Sequence, residues 1–149
     1  MTDLADSLGP IEKRIIVNAT AERAFDRFTR QIAVWWPLAS FSLSGATAVD
    51  LVFEARIGGA IYEVDERGAR REWGVVLHCE PPTRLVFSWV LEQPELATVV
   101  EVLFEEIGAG RTELTLIHRG WQEAVGDTAR RDSYSRGWPA VLAAFDASL

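Results

Sequence analysis

The side chains that could carry chemistry are few. His118 closes an alternating run in which Leu114 and Leu116 hold every second position. If those leucines face inward, so does the imidazole, where a pKa near neutrality suits acid, base or hydrogen-bonding work. The competing expectation is a buried structural histidine that ties this strand to the terminal segment. His78 has the parity opposite to Trp73, Val75 and Leu77 and is expected on the outer face. Tyr62, Tyr134 and Arg119 are candidate polar hooks for a pocket wall, since each joins an apolar body to a polar tip.

No nucleophile, base and orienter assemble from the remaining residues, so no catalytic residue is assigned. Ser88 and Ser135 lie in strand and helix patterns without a glycine-flanked elbow, and Cys79, in an apolar strand pattern, reads as an inert buried thiol. Glu105 and Glu106 are strand neighbours that point to opposite faces beside a turn, and both are expected in solvent. Two distant histidines and one cysteine lack the paired spacing of a zinc site, so no metal and no cofactor are expected. Gly58-Gly59 and Gly108/Gly110 fall between strands and read as turns, because a phosphate loop needs a strand before it and a helix after it.

Rings are the more telling feature. Six Trp, seven Phe and two Tyr in 149 residues give more aromatic surface than a small core requires, and indoles line cavities as readily as they fill cores. Trp73, Phe87, Trp89, Phe104 and Trp138, if they face one another, would enclose an apolar ligand while a few polar groups orient it. The alternative is that the rings meet and close the space. Together with Trp36, Tyr62, His118, Tyr134 and Leu142 they form the candidate ligand-binding set.

The elements that must position these residues follow from periodicity. Residues 1–10 read as a loose lead-in ending at Gly9-Pro10, and residues 11–149 as one domain. Ile11 to Val17 is a first strand. Thr20 then caps a helix with Ala21, Ala24, Phe25 and Phe28 on one face, continued by Ile32 and Trp35 until Pro37. From Ala46 the period becomes two. Val49, Leu51 and Phe53 share a face, Ile61 to Val64 returns as the next strand, and Trp73, Val75, Leu77 and Cys79 share a face in turn; Leu85 to Leu91, Val100 to Phe104 and Thr112 to His118 complete the set. Short connections make this an antiparallel meander. Tyr134, Trp138, Leu142, Phe145 and Leu149 form one helical stripe, with Pro139 predicting a kink or a helix that restarts at Trp138.

Charge and hydropathy exclude some partners. A net charge of -7 disfavours a nucleic-acid surface, which needs clustered Lys and Arg. The first residues lack the basic region of a signal peptide, and no apolar run nears the ~18 residues of a membrane span, so a soluble cytoplasmic protein is expected.

The order strand, short helices, six-strand meander and long terminal helix resembles the helix-grip fold of the SRPBCC (START/Bet v 1-like) superfamily. Trp35-Trp36-Pro37, Gly58-Gly59, the run from Glu80-Pro81-Pro82 to Trp89, the Gly108-Ala109-Gly110 hairpin leading to His118, and Gly137-Trp138 with Leu142 resemble its branch named after the activator of the heat-shock-protein-ninety ATPase (AHSA-type). The resemblance implies an α+β fold, with a curved antiparallel sheet of about seven strands gripping the C-terminal helix and a cavity between them. It also implies a small apolar, aromatic or acyl ligand. A polyketide cyclase-like enzyme and a module that stimulates a chaperone ATPase are the alternatives, with a chaperone or a second copy as partner. Trp35 and Trp36 are the expected pocket lip or dimer contact.

Overall fold

In the computed structural model, which describes residues 8–149, seven strands and three α-helices follow one another in the expected order. They are β1 (Ile11–Val17), α1 (Ala21–Phe28), α2 (Ile32–Trp35), β2 (Ala48–Phe53), β3 (Ala60–Asp65), β4 (Arg70–Glu80), β5 (Arg84–Trp89), β6 (Thr98–Gly108), β7 (Arg111–Arg119) and α3 (Thr128–Ala147). The sheet order is β1-β7-β6-β5-β4-β3-β2, antiparallel throughout. This is the α+β helix-grip architecture: β2 to β7 meander, β1 returns beside β7, and α3 packs over the sheet. Most of the lead-in expected over residues 1–10 lies outside the described residues. Of its last part, Leu8 packs on the core, and the Gly9 and Pro10 carbonyls accept from the Arg131 guanidinium at 2.6 and 3.0 Å.

Capping and burial explain the early helices. The Thr20 Oγ1 accepts from the Arg23 amide at 3.2 Å, satisfying one of the donors a helix start leaves open. The next orphan, the Ala21 amide, donates to the Glu106 carboxylate at 2.9 Å, so Glu106 is a cap as well as a surface acid. Ala21, Ala24, Phe25 and Phe28 are buried as their spacing requires, with Phe28 against Trp35 and Phe145 at ring distances of 5.2 and 5.5 Å.

Strict alternation fails on β2 and β4, and bulges are the reason. A register shift between Ala48 and Asp50 turns Val49 to solvent, 62% exposed, while Leu51 and Phe53 stay inside. On β4, Ile61 pairs with Gly74 but Tyr62 pairs with Glu72, leaving Trp73 as the extra residue. Trp73 and Val76 therefore face the core, while Val75 and Leu77 point outward at 45% and 39% exposure, against the expected common face. Gly74 is fixed by close approach: a Cβ there would sit 1.9 Å from the Ser88 carbonyl oxygen of β5. A second shift between Val76 and His78 follows; His78 is exposed as expected, and Cys79 is half-buried, not fully buried.

Helix α3 runs unbroken through Pro139, correcting the expected restart at Trp138. Pro139 is exposed, so the carbonyl its ring leaves without an amide partner lies on the solvent side. Trp138, Val141, Leu142 and Phe145 are buried against the sheet, and Tyr134 is half-buried at the end of that stripe. No helix among the described residues is long and apolar enough to cross a membrane.

Candidate functional site

Four indoles meet edge to face where α2 ends, β4 bulges, β5 finishes and α3 crosses. Trp36 lies 5.1 Å from Trp73, Trp73 lies 5.4 Å from Trp89, Trp89 lies 5.6 Å from Trp138, and Trp138 closes the cycle to Trp36 at 6.0 Å. Such tilted and T-shaped contacts are favourable beyond the area they bury. Above them opens a pocket of about 360 Å³, walled by these four rings, by Tyr134, Ser133, Gly137 and Val141 of α3, by Leu91, and by residues 40–43. Its volume falls at the small end of ligand-sized pockets.

Most of the indole N–H groups are already committed. Trp138 Nε1 donates to His118 Nδ1 at 3.0 Å, which fixes the neutral imidazole with its proton on Nε2. That proton points at Thr98 Oγ1, 2.7 Å away, whose hydroxyl leans toward the Trp89 carbonyl at 3.5 Å. Burial, aided by the Arg130 charge, lowers the His118 pKa to about 3. His118 thus stays uncharged near neutral pH and holds Trp138 in place from below.

A carboxylate does the corresponding work at the lip. Glu63 is fully buried and accepts from Trp73 Nε1 at 2.7 Å, from the Leu43 amide at 2.6 Å and from the Ser44 amide at 2.8 Å. Burial alone would push its pKa up, but the hydrogen bonds from Leu43, Trp73 and Ser44 outweigh this and hold the carboxyl below its ordinary range. Arg71 adds a second clasp, donating to the Leu43 carbonyl at 3.1 Å and pairing with Glu92 at 2.7 Å. The irregular stretch that forms one pocket wall is therefore pinned from β3 and β4.

Residues 18–149 match the family described as Activator of Hsp90 ATPase homolog 1-like protein, AHSA1. The chain belongs to this family. None of the curated proteins matches the chain. Among solved structures, the anthrahydroquino-γ-pyrone synthase Txn09 is 32% identical, with 76% of this chain and 77% of that one covered and a TM-score of 0.58. A protein from Rhodobacter sphaeroides is 24% identical over 93% and 90% of the two chains, with a TM-score of 0.70. The Aha1 dimer from Colwellia psychrerythraea is 18% identical over 95% and 96%, with a TM-score of 0.69. The last two likenesses concern the fold.

In this AHSA1-family chain, five of the sequence candidates line the pocket: Trp36, Trp73, Trp89, Tyr134 and Trp138. His118 and Leu142 are buried beneath it. Phe87 backs Trp89 at 6.2 Å and meets Phe53, and Phe104 packs on Phe25 and Phe28 without lining the pocket. Tyr62 is on the other face of β3, under the Arg70 guanidinium at 3.5 Å. Arg119 pairs with Glu101 at 2.9 Å, away from the pocket. Trp35 is buried in the core against Phe145, so of the expected lip pair Trp36 alone reaches the pocket. Glu63 was legible and missed: it has the same parity as buried Ile61 on β3. Residues 40–43 carried no signal, because an irregular wall has no period.

Proposed function

We propose that this protein binds a small, apolar, ring-bearing molecule in the pocket between the end of the sheet and α3. The observation that carries this reading is the indole cycle of Trp36, Trp73, Trp89 and Trp138 bordering about 360 Å³ of open space. Flat faces held by neighbours offer stacking area at little entropic cost. Gly137 supports it: it lines the pocket beside Phe41, and a Cβ added there would already touch the Phe41 ring at 3.4 Å.

Carrying over a ring-closing reaction is the second reading, favoured by the 32% identity to the pyrone synthase Txn09. Here the pocket would act by confining a reactive chain, which can supply much of a barrier reduction. His118 would take no proton-transfer part near neutral pH, since both nitrogens are engaged and its pKa is about 3.

Native mass spectrometry of freshly purified protein, followed by titration with planar aromatics and fatty acids, tests the binding reading. A co-purified or added ring compound bound one per chain is expected. A filled interior and no response to any compound would overturn it. The same spectra report subunit number, which bears on a homodimer like the Colwellia one, and an added chaperone ATPase assay would detect stimulation if that activity is present.

A further inference from the structure

We propose that the pocket selects a flat, uncharged ring system bearing a carbonyl-type acceptor oxygen, gripped by the Trp89 indole N–H and the Tyr134 hydroxyl. This rests on the reading of the pocket as a ligand site. The chain has six tryptophans, and five of their N–H groups are satisfied within it. Trp35 donates to the Arg27 carbonyl at 2.7 Å, Trp36 to Phe41 at 2.7 Å, Trp73 to Glu63 at 2.7 Å, Trp121 to the His118 carbonyl at 2.9 Å, and Trp138 to His118 Nδ1 at 3.0 Å. Trp89 is the exception. It is 5% exposed, and its Nε1 is buried without a hydrogen-bond partner.

A buried donor left unmade is destabilising, so its persistence at a pocket wall calls for a partner that arrives from outside. Arg27 Nε is the other such side-chain atom among the described residues, and Arg27 is not in this wall. The Tyr134 ring stands 6.1 Å from Trp89 at 85°. Burial raises the pKa of its phenol, while the Trp89 N–H, close to the hydroxyl without meeting hydrogen-bond geometry, and the Arg130 charge pull it down in part, so the hydroxyl remains a neutral donor. Two donors close together on residues that line the pocket match one oxygen with two lone pairs.

The oxygen's charge is set by what surrounds the pocket. No Lys or Arg lines it among the described residues. Of the arginines next to its walls in the chain, Arg71 is engaged by Glu92 and the Leu43 carbonyl, Arg130 by Asp127 at 3.1 Å and the Leu96 carbonyl at 2.8 Å, and Arg136, beside Gly137, is exposed to solvent. Behind Trp73 sits the ionised Glu63. A carboxylate entering here would lose its water, find no cation and face an anion, whereas a ketone or quinone oxygen meets donors alone.

The matched probes are 9-fluorenone, fluorene and fluorene-9-carboxylate, titrated calorimetrically and by following the indole N–H resonances. Fluorenone is expected to bind about tenfold more tightly than fluorene, consistent with one added buried hydrogen bond, and to shift the Trp89 N–H signal. The carboxylate is expected to bind more weakly than either. In Trp89→Phe and in Tyr134→Phe the preference for fluorenone should shrink to about twofold or less, while fluorene binding persists. Equal affinity for fluorenone and fluorene, or an unmoved Trp89 N–H signal, overturns the hook and leaves the pocket reading intact. Absence of binding by all three overturns both. If Trp89→Phe does not fold, Tyr134→Phe and the wild-type resonance still decide.

Discussion

A neutral imidazole can accept at one nitrogen and donate at the other, and His118 does both, linking α3 to β6 through Trp138 and Thr98. That arrangement has a pH signature. The unfolded chain takes up a proton near pH 6.5, while the folded site resists until about 3. The unfolded state thus binds more protons over this window, and stability falls as pH drops through it. Urea denaturation should lose about 2 kcal/mol between pH 7 and pH 5, and His118→Gln should flatten that part of the profile; a wild-type profile flat over this range would contradict the assignment. Glu63 has its pKa lowered, so its contribution is present above the ordinary value of 4.5 and fades as pH falls further. Glu63→Gln replaces an acceptor with an NH₂ facing an amide donor, and about 2 kcal/mol should be lost, with faster hydrogen exchange at the Leu43 and Ser44 amides. Unchanged exchange at both amides would show that the lip is held otherwise.

Elements position these residues through local exceptions to regular structure. Thr20→Ala should lower stability by about 1 kcal/mol through loss of the α1 cap, measurable by thermal or urea unfolding. Gly74→Ala should do more harm, because its Cβ would lie 1.9 Å from backbone that cannot swing away; soluble protein with an unchanged melting temperature would argue against the close β4–β5 approach. The same β4 bulge sets the limit of what periodicity could reveal. Element order, the Thr20 cap, the meander and the inward Leu114-Leu116-His118 face follow from residue spacing, since each repeats a period over many positions. Val75 and Leu77 do not, because the extra residue of β4 flips the side chains after it, and Val49 does not because it is itself the residue left over at the β2 register shift. Trp73, the extra residue of β4, stays buried, its N–H held by Glu63.

For the molecule as a whole, the aromatic part of the candidate site was legible because Trp36, Trp73, Trp89, Tyr134 and Trp138 sit on regular elements or their ends, whereas residues 40–43 fold onto the pocket through Glu63 and Arg71. A ligand that binds this folded pocket and not the unfolded chain must raise the melting temperature with concentration, by about 2.7 kcal/mol of stability at a hundred times its Kd. The central claim is that the space beside Gly137 receives a ring. The direct measurement is calorimetric titration of fluorene into the wild type and into Gly137→Leu, whose side chain, with Phe41 already 3.4 Å from its Cβ position, would intrude on the pocket. Saturable one-to-one binding to the wild type, and none to a Gly137→Leu shown to be folded by its cooperative melting, is the expected result. Equal binding to both proteins, or none to either, would contradict it.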